Sequence, residues 1–122
     1  MNEELTNRSC GTKLIIDRKT WWMGKNYGNS RLLRDDGYKC CLGFYALQQG
    51  CKETEILNVL SPAYVLVRLR HKFKALLTDD GFGLTDLCGE LIYLNDEPHV
   101  ENREEKLTEK FKEMGVEVEF IN

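Results

Sequence analysis

The chain has 122 residues, 42% of them hydrophobic and 30% charged, and a formal net charge of −3 at pH 7. This length supports one self-sufficient core and excludes two ordinary domains, and the negative total charge argues against long nucleic acid as a partner. No apolar run approaches the roughly 20 residues of a membrane span and no secretory signal opens the chain, so a cytoplasmic protein with no membrane partner is expected.

Met1 to Ser9 are polar and acidic and are expected to be a flexible N-terminus, with residues 10–122 forming one compact domain. Thr12 to Asp17, TKLIID, is a short β-branched apolar run that predicts a strand. Cys41 to Gln49 predicts a helix with Leu42, Tyr45, Ala46 and Gln49 on one face and Gly50 as its stop. A second short helix is expected from Lys52 or Glu53 to Val59. Ser61-Pro62 is a helix start, and Val65, Leu69, Phe73, Leu76 and Leu77 keep helical spacing beyond it. Val65, Val67 and Leu69 also alternate, so a strand stays open there.

Asp79-Asp80-Gly81 is turn chemistry. Apolar residues at 84, 87, 88, 91 and 94 predict the next helix, ended by Asn95-Asp96-Glu97-Pro98. Asn102 to Met114 is the clearest helix, with Leu107, Phe111 and Met114 inward and Met114-Gly115 as its stop. The closing VEVEFI, Val116 to Ile121, alternates apolar and acidic residues and predicts a half-buried strand. Two lone strands in a small domain pair with each other. The expected fold is therefore α+β, mostly helical, with a small ribbon joining the N-terminal and C-terminal strands.

Charge is unevenly spread. Residues 1–78 carry 13 Lys and Arg against 7 Asp and Glu, whereas residues 79–122 carry 4 against 13. An anionic ligand near the first part and a solvated acidic surface on the second follow from that split. The segment from Trp21 to Gly43, WWMGKNYGNSRLLRDDGYKCCLG, concentrates the chemistry. Rings stack on flat molecules, and guanidinium forks take phosphate oxygens. Arg18, Trp21, Trp22, Lys25, Tyr27, Arg31, Arg34 and Tyr38 are the candidate binding residues here, and Arg68 and Arg70 belong to a second basic cluster that would face them across a groove. No P-loop or dinucleotide fingerprint accompanies the glycines. Adjacent tryptophans on an extended chain point to opposite sides, so one is expected in the core and the other partly exposed.

Cys40-Cys41 sits where a loop enters a helix, a position that can lower a thiol pKa, although tight packing of small side chains explains the pair without chemistry. Five cysteines without paired spacing point to reduced thiols rather than disulfides or zinc. No catalytic residue, metal or cofactor is assigned. The Asn95-Asp96-Glu97 cluster is explained by helix termination, with orientation of a ligand or metal as the alternative.

The motifs LIIDRKTWWMG, LLRDDGYKCCLGFYALQQG, SP at 61 and 62, LNDE at 94 to 97 and REEKLTEKFKEMGVEVEF together resemble a group of small, mostly uncharacterised bacteriophage proteins over nearly the whole chain. The resemblance implies a phage-encoded protein acting in a bacterial cytoplasm. Small phage proteins often antagonise host defence, some by sequestering nucleotide-derived signals. The expected function is accordingly non-catalytic binding of a nucleotide-like anion, within a homo-oligomer large enough to bury it. Two alternatives accompany it: a protein-binding inhibitor of a host enzyme, and a small hydrolase of such a signal.

Overall fold

The two segments with the strongest strand periodicity, TKLIID and VEVEFI, form the sheet. The computed structural model describes residues 12–25, 30–60, 62, 76–77 and 85–122. Among these the order is β1 (Thr12–Asp17), α1 (Cys41–Gln48), α2 (Glu53–Ile56), α3 (Asp86–Asp96), α4 (Arg103–Lys112) and β2 (Val116–Ile121). The result is a small α+β fold with four described helices and a two-stranded sheet.

β1 and β2 pair in parallel, with Leu14 opposite Val118 and Ile16 opposite Phe120. A parallel pair cannot be closed by a tight turn, and all four described helices lie in the connection between the strands. Period-two alternation then divides the sheet. Leu14, Ile16 and Val116 are buried on one face with Val118 and Phe120 packed beside them, while Lys13, Ile15, Glu117 and Glu119 are exposed on the other. Leu107 and Phe111 of α4 and Leu91 of α3 are fully buried and complete the core.

Several helix expectations shift for tertiary reasons. α1 is buried on all sides through Cys41 to Ala46, rather than along a single stripe. Its Gly43 is required by space, because a Cβ there would lie 1.7 Å from the Leu32 carbonyl oxygen. α2 is a single turn instead of reaching Val59. Leu57 leaves it to bridge Leu33, and Asn58 adopts a left-handed φ of 60° while its side chain donates to Asp35 at 2.8 Å. α4 starts after Asn102, itself left-handed, and Gly115 at φ 79° ends it. The helix-or-strand alternative over 62–77 falls, apart from residues 62, 76 and 77, outside the described residues, as do the start at Ser61 and the turn at 79–81. Among the described residues no helix is long and apolar enough to cross a membrane.

Candidate binding site

Trp21 and Trp22 leave β1 through a turn at residues 18–20 and lie beside Lys39, with the Trp22 N–H donating to the Lys39 carbonyl at 2.9 Å. The extended backbone sends their rings to opposite sides. Trp21 is the core tryptophan, 6% exposed and 5.1 Å from the Phe120 ring centroid. Trp22 is half-buried at the surface.

The inward ring is held by a polar hub at the end of α3. Asn95, 1% exposed, accepts from the Trp21 indole N–H at 2.8 Å and from the Cys41 N–H at 2.9 Å through the same Oδ1. The second bond satisfies an N-terminal donor of α1, for which the cap residue Cys40 supplies no side-chain acceptor. The Asn95 amide donates in turn to the Trp22 carbonyl at 3.0 Å and to Asp96 Oδ1 at 2.8 Å, and the Ser30 hydroxyl also donates to Asp96, at 2.5 Å. Burial pushes the Asp96 carboxyl above its ordinary range, and the bonds from Ser30 and Asn95 and the charge of Arg103 oppose that. Arg103 closes the hub from outside, its Nε donating to the Leu94 carbonyl at 2.9 Å and Nη2 to that of Glu97.

The helix ends at Asp96 as expected, and the hub adds a second role for Asn95 and Asp96 to that termination. The two side chains do not simply terminate a helix toward solvent; they join α3, α1 and the Trp21 strand exit. A signal was present: Asn95 continues the spacing of Cys88 and Leu91, which places a polar group in phase with the core stripe. The space bounded by Ser30, Cys40, Cys41, Asn95 and Asp96 is only about 10 Å³, on the scale of one water molecule.

The thiols follow the packing explanation. Cys40, Cys41, Cys51 and Cys88 are buried thiols. Burial pushes Cys40 up to about 12 and Cys88 to about 11, and raises Cys41 well above the ordinary thiol range. Proximity to a helix N-terminus is outweighed by desolvation, the opposite of the activation that position can provide.

On the outer side four of the candidate residues converge. The Arg34 guanidinium carbon lies 3.7 Å from the Trp22 ring centroid, Lys25 Nζ lies 5.8 Å from the same centroid, and Tyr38 meets the ring edge-on at 5.7 Å. A 35–37 turn positions them: the Gly37 N–H donates to the Arg34 carbonyl at 2.9 Å, and the Arg34 N–H donates to the Tyr38 carbonyl at 2.7 Å. Gly37, at φ 90°, occupies the left-handed position this turn needs. Asp36 accepts from the Tyr38 N–H at 3.1 Å and from Arg34 Nε at 3.2 Å to each oxygen. The Trp22 indole N–H is shielded from solvent and meets no acceptor among the described residues.

The other candidates are elsewhere. Arg18 makes a two-pronged pair with Glu104, 2.8 Å on both arms, and lies over Phe120. Arg31 donates to the Ser30 carbonyl at 2.9 Å. Trp21 borders a separate cleft of about 510 Å³ with Met23, Val100 and Arg103. Tyr27, Arg68 and Arg70 lie outside the described residues. Among the described residues no group of three or more His, Cys, Asp and Glu side chains could hold a metal ion. No protein-family model, curated protein or solved structure matches the chain.

Proposed function

We propose that the chain is a binding protein for a nucleotide-like anion and acts by sequestering it. The observation that carries this reading is the stack of Arg34 on Trp22 at 3.7 Å, with Tyr38 at the ring edge and Lys25 beside it. A cation held over an indole is partly pre-ordered for contact with a ligand that is both flat and charged. Tyr38, 37% exposed, adds a second aromatic surface. Asp36 is the built-in competitor for Arg34, and an incoming phosphate replaces one anionic partner by another.

Binding rather than turnover is favoured by the state of the nucleophiles, since the described thiols are buried and those of Cys40, Cys41 and Cys88 are held protonated. The likeness of the motifs to small phage proteins makes a host immune signal, such as a cyclic oligonucleotide or a cyclic ADP-ribose derivative, the natural ligand class. An oligomer would enlarge the buried surface around such a ligand.

Native mass spectrometry with a panel of cyclic nucleotides and ADP-ribose derivatives tests the proposal. A mass gain of one intact ligand per site supports sequestration. Released products would mean hydrolysis, and no gain across the panel would overturn the nucleotide reading.

A further inference from the structure

The two edges of the sheet are finished differently. Parallel strands direct alternate backbone groups to opposite sides. On β1 the Ile15 N–H and C=O point away from β2, and the Gln48 side chain takes both, accepting at 3.1 Å and donating at 2.9 Å. That edge is closed by an amide acting as a substitute strand. On β2 the register and the bond from the Arg18 N–H to the Ile121 carbonyl turn Glu117, Glu119 and Ile121 toward β1. Val116, Val118 and Phe120 therefore direct their N–H and C=O groups outward, and these groups meet no partner among the described residues.

A cleft of about 410 Å³ runs beside this open edge, lined by Thr108 and Lys112 of α4 and by Gly115 to Val118. We infer that the outer edge of β2 is a docking site for an extended polypeptide segment that alternates basic and apolar residues, added as a third strand. The backbone of Val116, Val118 and Phe120 would supply the ladder, and the α4 cleft would receive the apolar side chains. Charge selects the occupant. Glu117 and Glu119 stand exposed on the outer face of β2, where Lys13 pairs with Glu119 at 2.8 Å. A neighbouring strand places its side chains directly opposite them, so Lys or Arg is favoured and acid is opposed. A second copy of β2 would bring Glu against Glu, which disfavours self-pairing through this edge. Among the described residues that line the cleft, Lys112 is the one cation.

The test uses the whole chain and two synthetic peptides, acetyl-Lys-Val-Lys-Val-Lys-Val-amide and its Glu-Val counterpart, with amide hydrogen exchange of β2 as the readout. The Lys-Val peptide should slow exchange at Val118 and Phe120, and the Glu-Val peptide should not. Glu117→Lys with Glu119→Lys should reverse that preference, weakening the Lys-Val peptide by about threefold to tenfold. Val118→Pro removes an outward N–H while leaving the ladder to β1, and should lose peptide binding with the amide spectrum otherwise dispersed as before. Equal protection by both peptides, protection by neither, or peptide-independent protection that grows with protein concentration would each overturn the inference. The charge-reversed variant alters only exposed side chains and keeps the test decisive even if the proline variant does not fold.

Discussion

Trp21 and Trp22 are neighbours in sequence and opposites in environment. The Trp21 ring is buried, its N–H is satisfied by Asn95, and its surroundings tie α1 and α3 to the strand exit. The Trp22 ring is at the surface, its N–H has no acceptor among the described residues, and charged side chains rather than core atoms surround it. A buried polar network must be fully satisfied to be tolerated, which makes it rigid and structural. The half-buried Trp22 ring, stacked under a guanidinium and with its N–H unmatched among the described residues, belongs to no such network and can exchange partners. The comparison assigns stability to the Trp21 side of the pair, and the Trp22 side is where we propose recognition.

The largest effect should come from breaking the buried side. Asn95→Ala leaves the Trp21 indole N–H and the Cys41 N–H without their acceptor, and should cost about 3–5 kcal/mol in chemical denaturation. Gly43→Ala should cost about 3 kcal/mol or more, because its Cβ would overlap the Leu32 carbonyl despite alanine's better helix propensity. Neither result bears on ligand recognition. On the exposed side, Arg34→Ala should weaken nucleotide binding by about 1.5–3 kcal/mol in calorimetry while the denaturation midpoint moves little. Asp36→Asn keeps an acceptor for the Tyr38 N–H, removes the competing charge from Arg34, and should tighten anion binding several-fold.

The smallest effect concerns pH. The folded-state pKa of Asp96 is raised, so its contribution favours folding at low pH and is lost as pH rises through that folded value. Asp96→Asn removes the buried charge while its side-chain carbonyl still accepts from Ser30 and Asn95. The variant should be about 1 kcal/mol more stable than the parent at pH 7, with the difference shrinking on acidification. Asp17, Asp36 and Glu104 have lowered pKa values and act in the opposite sense, losing stabilisation as pH falls. The parent and variant share these groups, so their difference isolates Asp96.

Much of the fold was legible because its signals are local. Both strands match their expected bounds, since a β-branched run and a strict acidic alternation need no distant partner to be recognised. The failures are long-range. α2 stops early because Leu57 bridges Leu33, a contact that no window of residues contains. The anchoring of Trp21 depends on Asn95, 74 positions away, and a polar residue after an apolar stripe reads equally as a cap or as a hub. Of the candidate residues, Trp22, Lys25, Arg34 and Tyr38 are assembled because a Gly-containing turn folds their segment back on itself. Arg18 is taken by Glu104, on a helix whose approach the sequence does not reveal.

Two tryptophans give two indole N–H signals in a nitrogen-proton correlation spectrum, and a titration with the cyclic nucleotide and ADP-ribose panel follows both at once. The expected result is a saturable shift of the Trp22 signal with at least one ligand, while the Trp21 signal, held by Asn95, stays in place. Movement of Trp21 alone, or of neither signal across the whole panel, would contradict the assignment of recognition to the Trp22 side.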